Sequence, residues 1–135
     1  MQTKKIAFIN QRYGAEVAGG SESFTRAMAE RLAKNGKVQV EVLTSKAVDF
    51  KTWQDYYTGN EEEINSVIVR RFSVKWKWSR VIQRGAQILM HNFHIHFKWL
   101  ERLRLIGRGP YVPGLVSYIK EHKDEYDALI FVTYM

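Results

Sequence analysis

The sequence predicts an α/β fold: a Rossmann-like open parallel sheet with helices on both faces. Three observations carry that expectation. Short apolar runs alternate along the 135 residues with amphipathic helical stretches. Two of those runs, "KIAFIN" near the start and "ALIFVTY" near the end, are continuously apolar, as strands buried on both faces require. Between the first run and the first helix lies a loop with Gly14, Gly19 and Gly20. With 45% hydrophobic residues the chain can bury one core, so residues 1–135 read as a single domain.

The elements follow in order. "KIAFIN" ends where Asn10 begins a polar loop. The helix after it is read with Ser21 as N-cap, Glu22 in the first turn, and Phe24, Ala27, Met28 and Leu32 as its apolar stripe. Asn35-Gly36 supplies a left-handed stop. "VQVEVLT" follows at once, with Val38, Val40 and Val42 alternating with Gln39 and Glu41, which is a strand pattern. Strand, helix and strand in so short a span form a crossover unit whose strands run parallel. A polar loop is expected from 45 to 66, then a third strand in "SVIVRRF". A long helical segment is expected from about 78 to 106, a "GRGPYVPG" break, a short helix over about 113–123, and the fourth strand, "ALIFVTY". A buried strand so near the last residue predicts a fragment of a longer protein.

Charge is concentrated. Lys75, Lys77, Arg80, Arg84, Lys98, Arg102, Arg104 and Arg108 face Glu101 alone within 75–108, which equals the whole formal excess of +7. No run approaches the roughly 18 apolar residues of a membrane span, and "MQTKKIAFIN" is no secretory leader, so a cytoplasmic chain is expected. The absence of cysteine excludes disulfides and thiolate chemistry.

The glycine loop is positioned to hold an anion. In an open parallel sheet, ligands sit beyond the carboxyl ends of the strands, where the first helix points its amides and positive dipole end. Gly14, Gly19 and Gly20 let a backbone approach closely. The spacing G-x-x-x-x-G-G is neither the dinucleotide fingerprint nor a P-loop, which would need a lysine.

At this point the chain resembles a known family. "FINQRYGAEVAGGSESFTRAMAERLAKNGKVQVEVLTS" is similar to the N-terminal motif of retaining family 4 glycosyltransferases of the GT-B fold, where R-Y-G-x-x-x-x-G-G follows the first strand. "DFKTWQDYYTG", "VIVRRFSV" and "GPYVPGL" with "EYDALIFVTY" resemble later segments in order. The resemblance implies the N-terminal half of a GT-B enzyme that transfers a sugar from a nucleotide-sugar to a saccharide or lipid-linked acceptor. It implies that Gly19 and Gly20 reach the donor diphosphate with Arg12 nearby, and that a C-terminal domain holds most of the donor and the paired glutamates. The chain alone is then expected to be inactive. Besides the nucleotide-sugar, a substrate, no tightly bound cofactor is expected.

Acceptor-side candidates follow from loop position: Tyr13 in the glycine loop, Trp53 among the aromatics after the second strand, Tyr111 in the "GPY" turn, and Thr133 and Tyr134 ending the fourth strand. The bland reading of Trp53, Tyr56 and Tyr57 is a cluster pinning a long loop. Val112 offers Pro113 no capping side chain, which leaves amides there for a ligand or water.

The basic segment reads as an amphipathic helix. Ile82, Ala86, Leu89, Phe93, Phe97 and Leu100 form a stripe opposite Arg80, Arg84, His91, Lys98 and Arg102. Such a helix suits an anionic membrane surface, at the inner face of the membrane, or packs on the core with a solvated basic side. "HNFHIHF" is not read as a metal site, since His96 leaves the side shared by His91 and His94. Nucleic acid is not expected as a partner, because no binding motif accompanies the basic stretch. The alternatives are a self-contained nucleotide-binding Rossmann domain and a phosphate- or membrane-binding module without catalysis. The second strand ends Leu43-Thr44-Ser45-Lys46 without the acidic residue that binds a dinucleotide's ribose.

Overall fold

The computed structural model describes residues 3–75, 79–93, 98–99 and 109–132. Five strands, β1 (Lys4–Ile9), β2 (Val38–Ser45), β3 (Glu61–Ile64), β4 (Val67–Phe72) and β5 (Ala128–Phe131), form one sheet in the order β3-β4-β2-β1-β5. β1 pairs parallel with β2 and β5, and β2 parallel with β4; β3 alone runs antiparallel, beside β4. The helices with bounds among the described residues are α1 (Gly20–Lys34), α2 (Ser79–Phe93) and α3 (Pro113–His122), the last followed by a 3-10 turn at Lys123–Glu125. This is the expected Rossmann-like α/β arrangement.

Period-2 alternation assigns each strand residue to a face. Phe8, Val40, Val42, Val67 and Val69 pack with Ala29, Leu32 and Ala33 of α1 on one side. Ala7, Ile9 and Leu43 pack with Tyr126 and with Leu115, Tyr118 and Ile119 of α3 on the other. Both faces are therefore covered, which is why Ala7, Phe8 and Ile9 of β1 are apolar on both sides.

Three local expectations need correction. α1 begins at Gly20 with Gly19 as its N-cap, so Ser21 lies inside the first turn. The helix buries Glu22, Thr25 and Ala29 rather than the stripe of Phe24, Ala27 and Met28, and Phe24 is 56% exposed. The reason is polar. Asn10 Nδ2 donates to Thr25 Oγ1 at 2.8 Å and Glu22 pairs with Arg12, so the loop below the helix turns its polar stripe inward. The third correction lies in the expected 45–66 loop, which contains β3. Glu61, Glu62 and Glu63 have low strand propensity, so the sequence hides this strand. Two features place it: a hairpin whose tip, Asn65 and Ser66, has positive φ at both positions, and cross-strand partners Arg70 and Arg71 for Glu61 and Glu62. On an edge strand those charges also discourage pairing with another chain. Asn35-Gly36 ends α1 as expected, Gly36 having φ 67°.

β2 carries an unexpected burial. Glu41 occupies a polar position of an alternating strand, yet only 1% of it is exposed, because α3 and Tyr126 cover that face. Tyr126 donates its hydroxyl to Glu41 Oε2 at 2.6 Å, Arg70 Nε lies 3.2 Å from the same oxygen, and Lys5 Nζ lies 3.1 Å from Oε1. Burial alone would raise the Glu41 pKa, but the bonds from Tyr126, Lys5 and Arg70 outweigh it and hold it below its ordinary value.

A depressed folded-state pKa stabilises the fold above the unfolded value of about 4.3, and that contribution is lost as pH falls through the folded one. Glu41→Gln is expected to cost about 1–3 kcal/mol at pH 7 and to make stability fall less steeply between about pH 5 and 3. Urea denaturation across that range checks it. Parallel pH profiles for the two proteins would contradict it.

Candidate functional site

The topology marks one edge of the sheet. From β1 the chain moves outward through β2 to β4, then returns to place β5 on the other side of β1. The order therefore reverses between β1 and β5, and ligands of open α/β sheets settle beyond the carboxyl ends at such a switch point.

A cleft of about 300 Å³ lies there, lined by Ile9, Asn10 and Gln11 from β1 and its loop, Ser45 from β2, Pro110 to Val112 with Leu115 and Val116 around the start of α3, and Phe131 and Val132 from β5. Much of its polar floor is already engaged, the Gln11 side-chain amide apart. Asn10 Oδ1 accepts the Gln11 amide at 2.7 Å while Nδ2 is bound to Thr25, and Ser45 Oγ donates to the Gln11 carbonyl at 2.6 Å. The start of α3 is similarly spent. Pro113 has no N–H, and the Leu115 and Val116 amides both point to the Val112 carbonyl, at 3.2 and 3.4 Å.

A second depression of about 420 Å³ adjoins the glycine loop, lined by Arg12, Ala18, Gly19, Gly20, Ser21, Glu22 and Phe50. Beside it the guanidinium of Arg12 is buried against the Glu22 carboxylate, Nη2 at 2.5 Å and Nε at 3.0 Å from Oε1. Nη1 donates to the Val48 carbonyl at 2.9 Å, and Nη2 also reaches the Ala18 carbonyl at 3.4 Å. Burial opposes the charge on Glu22, yet bonds from Ser21 and Arg12 prevail and its pKa lies below the usual carboxylate value. The N-cap, Gly19, has no side chain to cap the first amides of α1, and of these the Glu22 amide bonds its own carboxylate. Gly20 is exposed with open space where a Cβ would stand, whereas a Cβ on Gly19 would come within 2.1 Å of Glu22 Oε2.

The expected site residues fall into separate places. Gly19 and Gly20 lie together at the carboxyl edge, beside Phe50 of the β2 loop rather than beside β5. Arg12 lies next to them but is engaged by Glu22, so it shapes the loop. Tyr13 is not on a cleft wall; it is 1% exposed in the α1-side core with Phe8 and Val42, and burial pushes its pKa up to about 12. Trp53 sits half-buried in the loop after β2 at φ 53°, outside both depressions. Tyr111 lines the cleft. Thr133 and Tyr134 lie outside the described residues. The pinning reading of the aromatic loop describes Tyr57, whose hydroxyl donates to Glu16 at 2.6 Å and whose ring lies 3.7 Å from the Arg71 guanidinium carbon. Arg84 and Lys98 are exposed and Arg80 falls on α2, while Arg102, His94 and His96 lie outside the described residues.

Sequence reasoning missed Glu22 and Phe50 as site residues. The signal for Glu22 was the Glu22, Thr25, Ala29 spacing, one helical face beginning at the glycines. Phe50 had none, since a loop's side chains carry no periodicity.

No family model, curated protein or solved structure matches the chain. No helix among the described residues is long and apolar enough to cross a membrane.

The two adjacent glycines should separate experimentally. Gly19→Ala drives a Cβ into the Glu22 carboxylate and is expected to lose about 1–3 kcal/mol. Gly20→Ala meets nothing and is expected to cost nothing, gaining up to about 1 kcal/mol from helix propensity. Chemical denaturation of both variants checks the difference, and equal losses would refute this geometry.

Proposed function

We propose that this chain is the acceptor-side domain of a GT-B glycosyltransferase of the family 4 type, moving a sugar from a nucleotide-sugar to a saccharide or lipid-linked acceptor. The observation that carries the reading is the pairing of two sites at one sheet edge. Uncapped amides at Gly20 open beside a loop whose sequence resembles that family's, and a cleft for a second substrate lies at the β1–β5 switch point. The amides and dipole end of α1 suit the donor diphosphate. Gly20 leaves room for a phosphate oxygen, and Gly19 clears space for the Arg12–Glu22 pair that fixes the loop.

The balance of charge limits donor affinity. Glu22 neutralises Arg12, so the depression offers a diphosphate a few amides and a helix dipole. Against the several kcal/mol lost in immobilising a ligand, that supports binding no tighter than about millimolar. Most donor contacts are assigned by the resemblance to a second domain, so this chain alone turns nothing over.

Titration of the labelled chain with UDP- and GDP-sugars, followed by amide shifts, tests this. Shifts should centre on Gly19, Gly20 and Ser21 with millimolar midpoints, and Gly20→Ala should weaken them severalfold without loss of stability. Micromolar binding, or turnover by the chain alone, would favour a self-contained nucleotide-binding domain.

The reading extends to a membrane surface. Within α2, Arg84 and His91 are exposed on a face they share with exposed Ile88, and Leu89 is exposed as well, so basic and apolar side chains are both presented in the stretch that carries the chain's excess charge. At about 1 kcal/mol per basic residue near an anionic surface, association should fall steeply with salt. Cosedimentation with phosphatidylserine vesicles is expected to drop at least tenfold in an Arg84→Glu, Lys98→Glu, Arg102→Glu variant. Unchanged binding would remove membrane association from the proposal.

A further inference from the structure

We propose that the cleft at the β1–β5 switch point holds the hydrocarbon part of the acceptor, which makes the acceptor an alkyl- or isoprenyl-linked species rather than a free saccharide. The inference rests on the acceptor-side reading above and adds the class of acceptor. Its basis is what the walls can and cannot offer. Ile9, Pro110, Val112, Leu115, Val116 and Phe131 are apolar, and no charged side chain among the described residues lines the cleft.

A sugar needs each buried hydroxyl matched by a partner, and an unmatched polar group is costly. Among the described residues, the Gln11 side-chain amide is the polar group this floor leaves open, and its other polar groups are largely spent. Both ends of the Asn10 amide are bonded within the chain, Ser45 Oγ donates to the Gln11 carbonyl and accepts the Ala47 amide at 3.3 Å, and the Tyr111 carbonyl accepts the Lys75 amide at 3.0 Å. Nor does α3 provide an anion site. Pro113 lacks an N–H and two following amides turn back to Val112, so Gly114 is the one first-turn amide not directed there. A phosphate or carboxylate would therefore find a weak partner at this end of the sheet, in contrast to α1.

What the cleft does offer is apolar surface that water covers at a cost. Val116 is 51% exposed and Phe131 64%, both on its walls. A hydrocarbon chain inserted between them gains the burial free energy without leaving any polar group unpaired.

The test uses the full chain and n-alkyl glucosides with methyl, butyl, hexyl and octyl tails, each below its micelle concentration. Affinity read from amide shifts of Gly114, Leu115 and Val116 is expected to rise about fourfold per methylene, which is the about 0.8 kcal/mol of one buried CH₂, and to level off as the cleft fills. Val116→Asp places a carboxylate on the wall at a half-exposed position outside the core, and should reduce octyl glucoside binding at least tenfold. Phe131→Ser, at a more exposed position, should do the same in part. Affinity independent of tail length, or shifts centred away from α3, would overturn the proposal. A donor titration of the unsubstituted chain, alongside its alkyl glucoside series, separates the two readings. Intact shifts at Gly20 with a flat alkyl series sink the hydrocarbon site alone. Tail-dependent binding with no nucleotide-sugar response at the glycine loop sinks the glycosyltransferase reading and leaves an apolar-ligand site.

Discussion

The buried pair between Arg12 and Glu22 fixes everything else at the sheet edge. Taking two charges out of water is expensive, and the attraction repays it only when the remaining donors and acceptors are also satisfied. Here they are satisfied by distant parts of the chain. One guanidinium fork joins α1 through Glu22, the β2 loop through the Val48 carbonyl, and the glycine loop through the Ala18 carbonyl. The fork thus determines where the start of α1 stands relative to Phe50. It also explains the absence of a side chain at position 19, since the space a Cβ would take is filled by the carboxylate. A ligand arriving at Gly20 meets a preformed loop whose strongest charges are already matched.

The opposite face of the sheet uses the same device. Glu41, buried on the α3 side, gathers Lys5 of β1, Arg70 of β4 and Tyr126 just before β5. These partners come from the two strands flanking β2 and from the turn before β5, so one carboxylate ties together four neighbouring parts of the sheet. Burial first, then its hydrogen bond to Glu41, pushes the Tyr126 phenol well above its ordinary pKa. Two buried carboxylates, one per face, therefore set the geometry at opposite ends of the sheet. Glu41 lies toward the entry end with Lys5, and Glu22 lies at the carboxyl edge with Arg12.

Much of this fold was legible because strand and helix periods are physical. "KIAFIN" and "VQVEVLT" could only be buried neighbours of a parallel sheet, and Asn35-Gly36 could only end a helix. What stayed hidden were the places where polar chemistry overrides pattern. Periodicity put Phe24 and Met28 on the inner face of α1, but hydrogen bonds from Asn10 and the Arg12 pair turned Thr25 and Glu22 inward instead. The triple glutamate of β3 reads as loop until its arginine partners across the hairpin are known. Tyr13 illustrates the limit for site residues. It neighbours Arg12 and Gly14 in sequence, but its ring enters the core, and no spacing rule distinguishes that from a ring facing a cleft.

The two helix starts at the carboxyl edge differ in a way that assigns them different tasks. α1 opens with Gly19 and Gly20, which keep the backbone bare and leave the Gly20 and Ser21 amides without a side-chain cap, at the positive end of the helix dipole. α3 opens with Pro113, which removes one amide, and its next turn folds two more back onto Val112. On the proposed function, the same topological edge serves an anion on one side of Asn10 and a hydrocarbon on the other. The proposed transfer between an activated donor and an apolar acceptor uses this separation. A diphosphate drawn toward α3 would block the acceptor, and an alkyl chain at α1 would strand buried amides without partners. Asn10 keeps the two apart by committing its whole amide to Thr25, Ser21 and Gln11, leaving it nothing to offer either ligand.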